Sequence, residues 1–323
     1  MINNLINWIQ WDYSSIMSDK KQKFLNSLLS KSSPNKFKRY LGSPLRYAGG
    51  KSLAVGYIVN LLPSDVKRVI SPFIGGGSVE VAIAKELGLP VIGFDIFDIL
   101  INYWDYQINH PDLLADKLMG FEPTKEEYAK IGRIMKEHWT KEITLKGLDL
   151  AAYYYFNFNT SYGPHFLGSP SSVYLEPIRY NKMVEKVRNF DCKLLTVACE
   201  SFETVIPRYN NDFLYCDPPY YLDGDSKMFI GMYPHRNFPI HHVGFKHELL
   251  AKLLHEHKGG VILSYNDCSK IREWYQDFEI ITPEWQYTFS QGDTRIGKNR
   301  INNNNGSYIK KSHELILWKR PEN

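Results

Sequence analysis

Short apolar runs bounded by turn residues recur along the chain. Those at 66–73, 90–95, 194–199, 212–217, 260–265, 278–282 and 308–318 have the length of strands. Stretches between several of them, 78–87 and 243–258 among them, space apolar residues three and four apart as amphipathic helices do. In 243–258 the stripe is Leu249, Leu250, Leu253 and Leu254, which predicts that the histidines of this helix face solvent. Strands alternating with helices predict an α/β fold with a doubly wound sheet. From Ile96 to Asn189 the strand pattern gives way to polar helices and the aromatic block Tyr153-Tyr154-Tyr155-Phe156, which predicts an inserted, mostly helical module. The final run follows a Gly- and Asn-rich loop and predicts a strand returning as a hairpin partner to 282–289. At the start, Leu5, Ile6, Trp8, Ile9 and Trp11 make an amphipathic segment expected to pack on the domain or on a partner.

Chemistry concentrates where these strands end. The run ending at Ile74 is followed by Gly75-Gly76-Gly77 and then by a helix start, an arrangement that brings backbone N–H groups close to a ligand. The next strand ends at Asp95, about 20 residues past the turn, where a carboxylate can bind ribose hydroxyls. The run Phe213-Leu214-Tyr215-Cys216 ends in Asp217-Pro218-Pro219-Tyr220. Asp217 and the Pro218 carbonyl are acceptors for an exocyclic amine, the two prolines fix the exit of the loop, and Tyr220 can stack on a base taken out of its helix.

Composition changes this picture little. The chain has 323 residues, enough for one large α/β core and a smaller module, and its net charge of +4 does not by itself mark a nucleic-acid binder. Basic residues cluster from Lys20 to Arg46, with Lys20 to Lys38 read mainly as a solvated face or arm, and Arg295, Lys298 and Arg300 lie in a loop suited to phosphates. Cys192, Cys199, Cys216 and Cys268 have no metal-ligand spacing and read as buried free thiols. Six of the ten histidines fall between His235 and His257 without a completing Cys or paired acid, so no metal site is expected. No stretch is long and apolar enough to span a bilayer, and no signal sequence is expected.

Together with Pro44-Leu45-Arg46-Tyr47-Ala48-Gly49-Gly50-Lys51, these motifs resemble the Dam-type, D12 class of S-adenosylmethionine-dependent DNA adenine-N6 methyltransferases. The family's Pro-x-x-Tyr-x-Gly-x-Lys segment, Phe-x-Gly-x-Gly turn, acidic second-strand end and Asp-Pro-Pro-Tyr occur here in that order. The resemblance extends to 245–250, 262–267 and 313–317. It implies a class I methyltransferase (Rossmann-like) sheet with an antiparallel last strand and a smaller inserted DNA-recognition module. It implies a catalytic domain of 41–102 and 190–323, a recognition module of 103–189 and an N-terminal extension of 1–40. S-adenosylmethionine is the implied cofactor, held by Tyr47, Gly49, Lys51, Phe73, Gly75, Gly76, Gly77, Asp95, Ser201, Phe202 and Asp217, with Asp217, Pro218, Pro219 and Tyr220 catalytic. Within those sets, Lys51 and the Gly75 to Gly77 turn would hold the methionine end of the cofactor. Double-stranded DNA is the implied partner, met by Asn157, Asn159, Arg295, Lys298 and Arg300, in the cytoplasm of a prokaryotic or phage-infected cell; a cognate restriction endonuclease is left open.

Two segments depart from the family. Glu200-Ser201-Phe202 stands where an Asp-Phe pair is usual, and Phe156-Asn157-Phe158-Asn159-Thr160-Ser161-Tyr162-Gly163 replaces the stretch found in GATC-specific members, which argues against GATC as the target. Three alternatives stay open at this point. An N4-cytosine methyltransferase shares the loop chemistry, although Ser is frequent there in place of Asp217. A nicotinamide-dependent oxidoreductase would explain 75–95, but Glu80 occupies the place of the third small residue. A catalytically silent DNA-binding protein of the same fold would be expected to lose Asp217 or the glycine turn.

Overall fold

The computed structural model describes residues 2–30, 33–221, 244–283 and 314–322, with side chains at 15–29 and from 36 onward within those ranges. Seven strands form its main sheet: β1 Val69–Ser71, β2 Val91–Asp95, β3 Leu195–Cys199, β4 Phe213–Cys216, β5 Val261–Asn266, β6 Glu279–Ile281 and β7 Glu314–Lys319. Their order across the sheet is β3-β2-β1-β4-β5-β7-β6. The first five are parallel, while β7 runs antiparallel to both β5 and β6. This is the mostly parallel sheet with antiparallel closing strands of a class I methyltransferase fold.

The last strand returns antiparallel, as expected. β7 lies between β5 and β6, pairing from Val261↔Lys319 to Asn266↔Glu314 on one side and on the other with Glu279–Ile281, immediately before the expected partner segment 282–289. Its residues 314–317 are all buried, so both faces of this end of the strand are covered. Residues 284–313 lie outside the described residues.

Helices cover the two faces. α1 (Ile2–Leu28) buries Met17, Phe24, Leu25 and Leu28, and the Lys21 ammonium donates to the carbonyls of Asn60 and Leu62 at the end of α2 (Val55–Leu61). Part of the basic N-terminal stretch is therefore docked and caps a helix C-terminus, where a cation is favoured. After β1 comes α3, an α-turn Ser78–Val81 that runs on as the π-helical Ala82–Leu87. The chain continues through α4 Asp98–Asn109, α5 Pro111–Met119, α6 Lys125–Trp139, α7 Gly147–Asn159 and α8 Pro177–Arg188. Their starts are written locally: the Thr124 hydroxyl accepts from Glu127 N–H at the head of α6, and Glu176 with Pro177 opens α8. α4 runs across the 102/103 boundary, and its Tyr103 stacks on Tyr155 of α7, so this helical block shares one buried cluster with the sheet. α9 (Phe202–Arg208), α10 (His247–Glu256) and α11 (Ser269–Trp274) pack against the opposite face, around Leu214, Leu263 and Leu317.

Two side-chain expectations change. In and just after α10 the histidines do not all face solvent: His257 is fully buried, its Nε2–H donating to the Asp212 carbonyl at 2.8 Å, and His247 is half-buried. The leucine stripe is narrower than the pattern suggested, with Leu250 and Leu254 buried and Leu249 and Leu253 partly exposed, which leaves room for ring packing beside it. The four cysteines are free thiols, but only Cys192 and Cys216 are buried. Cys199 is exposed because it ends β3, the edge strand, and Cys268 is half-buried.

Helix α4 also shapes the turn after β1. Trp104 Nε1–H donates to the Gly75 carbonyl at 2.9 Å, and a Cβ on Gly77 would lie 2.6 Å from the Trp104 ring. Gly77 also holds φ +62°, a conformation that L side chains rarely adopt. Gly77→Ala should therefore lower stability by about 1–3 kcal/mol, the scale of a strained backbone with a steric clash. Urea unfolding checks this; an unchanged midpoint would show that the turn relaxes freely.

Candidate active site

Strand order alone locates a crevice. The connections run one way from β1 through β2 to β3 and the other way from β4 to β5, so the direction reverses between β1 and β4. Open parallel sheets bind ligands beyond the carboxyl ends of the strands at such a switch point. The Gly75-Gly76-Gly77 turn follows β1 and Asp217-Pro218-Pro219-Tyr220 follows β4, so two segments far apart in sequence come side by side.

A buried ion pair joins them. Lys51 is 4 % exposed, and its ammonium lies 2.8 Å from Asp217 Oδ1 and 4.0 Å from Glu314 Oε1 while donating to the Gly49 carbonyl at 2.8 Å. Burial alone would lower the Lys51 pKa, but the two carboxylates outweigh it and hold the group above its ordinary value. Burial pushes the Asp217 carboxyl up to about 6 even though Lys51 pulls the other way, and Glu314 adds a smaller push upward. Beneath the pair, the buried Glu80 carboxyl accepts from the Ser71 hydroxyl at 2.6 Å and is pushed up to about 8 by burial, so it is neutral at pH 7. Lys51 thus serves as the counter-ion of Asp217.

The loop after Asp217 is held from β5 and β7. The Tyr220 hydroxyl donates to Glu314, Lys51 Nζ sits 4.9 Å from the Tyr220 ring centroid, and the Tyr265 ring stacks against Tyr220 at 6.2 Å. Asn266 accepts from Tyr221 N–H and donates to Tyr221 C=O, both at 2.9 Å. The Tyr221 ring packs edge-on against His247 and Trp274. His247 Nδ1 meets the Tyr265 hydroxyl, and burial depresses this imidazole to about 4, so it is neutral at pH 7.

Toward β2 and β3 the expected groups have defined partners. Asp95 accepts from Gly75 N–H at 3.2 Å and Phe97 N–H at 3.1 Å, one on each oxygen, and a carboxylate oxygen can accept more than one hydrogen bond. Phe73, Phe202 and Phe245 form an aromatic cluster with centroids 5.2–5.8 Å apart. Ser201 caps α9 by accepting from Glu203 N–H, and Glu200 is ion-paired with Arg208. The glycines have a second use beyond backbone approach: a Cβ on Gly76 would lie 2.4 Å from Tyr47, whose ring covers the turn and stacks on Phe158 at 5.4 Å. Ser43 donates to the Gly76 carbonyl at 2.7 Å, and Lys186 of α8 donates to the Ser43 carbonyl.

Two of the residues expected at DNA are inside the protein. Asn157 and Asn159 are fully buried: Asn157 accepts from Leu167 N–H at 2.8 Å and Asn159 from Arg46 N–H at 2.9 Å. They fold the segment after α7 against the Arg46–Lys51 segment and do not reach a surface that a duplex could touch. Arg295, Lys298 and Arg300 lie outside the described residues. Sequence reasoning also passed over Glu80, Asn266 and Glu314 as site residues. Only Glu314 carried a signal, a charge at the head of the apolar run Leu315–Trp318.

The arrangement therefore offers a mostly buried carboxylate kept ionised at neutral pH by its lysine, a proline carbonyl next to it in the chain, and an aromatic ring two residues further on. Comparison with known proteins agrees in kind. Residues 47–289 match the model of the D12 class N6 adenine-specific DNA methyltransferases. The chain is 27% identical over 252 residues to the type II methyltransferase M1.LlaDCHI of Lactococcus lactis subsp. cremoris, covering 73% of this chain and 84% of that protein. It is 24% identical to modification methylase StsI of Streptococcus sanguinis over 92% of this chain and 26% identical to type II methyltransferase M.FokI of Planomicrobium okeanokoites over 70%. The chain spans less than half the length of each of these two, 46% and 35%.

The ion pair makes a prediction of definite sign. Lys51 favours the charged form of Asp217, so Lys51→Ala should raise the Asp217 carboxyl pKa above about 6. A carbon-13 NMR titration of the Asp217 carboxyl reads this directly; an unmoved or lowered midpoint would mean that Lys51 is not its counter-ion.

Proposed function

The chain belongs to the D12 class N6 adenine-specific DNA methyltransferase family, and from that premise we propose that it methylates the N6 amine of an adenine turned out of duplex DNA, with Asp217 as the acceptor that makes the amine reactive. The observation that carries this reading is the buried Lys51–Asp217 pair at the mouth of the switch-point crevice. An amine conjugated to a purine is a poor nucleophile, and positive charge grows on its nitrogen as it becomes tetrahedral. Asp217 and the Pro218 carbonyl accept its two N–H bonds and stabilise that charge as it develops. Neither proline has a backbone N–H to compete, and their fixed φ sets the carbonyl direction. Tyr220 supports the face of the extruded base. The proton lost from N6 leaves to solvent after transfer; Asp217 need not take it first.

The residues around the crevice fit S-adenosylmethionine, which supplies the methyl group as an electrophile on a sulfonium. Asp95 at the end of β2 would bind its ribose hydroxyls, and Phe73 and Phe202 would pack on its adenine. The wall formed by Tyr47 over Gly75 and Gly76 would enclose its methionine end. Helices α5 to α8, with the C-terminal part of α4 from Tyr103, would form the target-recognition module, and the type II methylases among its relatives suggest that this chain marks cytoplasmic DNA beside a restriction endonuclease.

Asp217→Ala should lower methyl transfer at least about 10²–10³-fold, the scale for losing one donor or acceptor aimed at transition-state charge, with little change in cofactor affinity. Transfer of labelled methyl to saturating DNA, with nucleosides identified by mass spectrometry, is the measurement; near wild-type turnover removes Asp217 from the role. Asp95→Ala should instead weaken binding of S-adenosylhomocysteine by about 1.5–3 kcal/mol, the worth of hydrogen bonds to a charged group. Calorimetry showing unchanged affinity would take Asp95 out of the cofactor site.

A further inference from the structure

The Asp217–Tyr220 loop cannot hold itself. Pro218 and Pro219 offer no N–H, so the first backbone donors after Asp217 belong to Tyr220 and Tyr221. Residues 222–243 lie outside the described residues. Within the described ones, besides Lys51 at Asp217 and the Tyr265 ring on Tyr220, the loop is restrained from across the sheet by a cross-strand pair. Asn266, the last residue of β5, and Glu314, the first of β7, face each other in register. Asn266 is 8 % exposed and grips both backbone groups of Tyr221, its amide oxygen accepting from the N–H and its amide nitrogen donating to the C=O. Glu314 takes the Tyr220 hydroxyl and stands 4.0 Å from the Lys51 ammonium that pairs with Asp217. Tyr221 is further fixed by His247 and Trp274 against its ring.

We propose that Asn266 and Glu314 are positioning residues for methyl transfer, together setting where the Asp217 carboxylate, the Pro218 carbonyl and the Tyr220 ring stand when the target base arrives. The proposal rests on the functional reading above and adds residues to it that lie on other strands. Asn266 anchors the far end of the loop; Glu314 anchors its ring and its counter-ion. Because the pair is joined by the β5–β7 ladder, the loop takes its position from the antiparallel edge of the sheet as well as from β4. An error of 1 Å at a reacting group can cost on the order of 10²-fold in rate, so such a clamp has catalytic weight without touching substrate.

The test uses the full chain and two readouts. Asn266→Ala should speed amide hydrogen exchange at Tyr221 and lower kcat by about 10²-fold. Affinity for S-adenosylhomocysteine should stay within about twofold, since the lost interaction acts on the reacting amine and leaves cofactor binding alone. Glu314→Ala should lower kcat in the same way, and Glu314→Gln, which keeps an acceptor for the Tyr220 hydroxyl, should recover most of it. If Asn266→Ala does not fold, the two Glu314 variants decide. The proposal is overturned if Tyr221 exchange and kcat are both unchanged, if kcat falls only in step with cofactor affinity, or if Glu314→Gln is as slow as Glu314→Ala. A wild-type chain that methylates no DNA, while Asn266→Ala still frees the Tyr221 amide, would defeat the functional reading and leave the loop clamp standing.

Discussion

A lysine and an aspartate from segments 166 positions apart meet in a place where burial works against the charged form of each. Burying an unpaired ammonium or carboxylate costs several kcal/mol, so each group requires the other, and removing one partner of such a pair is typically worth about 3–5 kcal/mol. The constraint explains the design around it. Lys51 must be rooted in a segment packed against the sheet, and Asp217 must sit at the end of a strand buried on both faces, as β4 is. Glu80, pushed toward its neutral form, does not compete as a full charge.

The Arg46–Lys51 segment links the helical block to the chemistry. Arg46 is tied to Asn159 of α7, Tyr47 lies over the glycine turn and stacks on Phe158, and Lys51 ends at Asp217. Trp104 and Lys186 add ties from α4 and, through Ser43, from α8 to the same turn. A shift of the helical block would therefore be felt at the glycine turn and at the Asp217 counter-ion, through contacts that are mostly buried. The turn's glycines are explained by this crowding: Tyr47 and Trp104 occupy the volume that side chains at 76 and 77 would need.

Much of this was legible in the sequence because it is local. The glycine turn, the acid ending β2 and the Asp-Pro-Pro-Tyr loop are contiguous segments whose chemistry travels with their spelling, and all seven strand runs contain a strand. The rest was hidden because it depends on pairing across distance. Glu314 meets Tyr220 across 94 positions and only because β7 inserts beside β5, a topology that apolar periodicity does not encode. Asn157 and Asn159 read as surface amides beside aromatic residues, yet both are buried, because each satisfies a backbone N–H of a neighbouring segment. His257 was read outward for the same reason: a helix stripe says which face is apolar and nothing about a carbonyl arriving from another strand end. The Lys51–Asp217 contact was not legible either, since sequence order cannot show that two segments this far apart meet.

The central claim is that Lys51 and Asp217 act on the target amine as one unit, the lysine through the aspartate. A double-mutant cycle on single-turnover methyl transfer tests this most directly, using Lys51→Ala, Asp217→Ala and the combined variant on the same DNA. If the lysine acts only through the aspartate, removing Lys51 from a chain that already lacks Asp217 costs little further, and the double variant matches Asp217→Ala. Two losses that multiply would show that the residues act independently and would contradict the account.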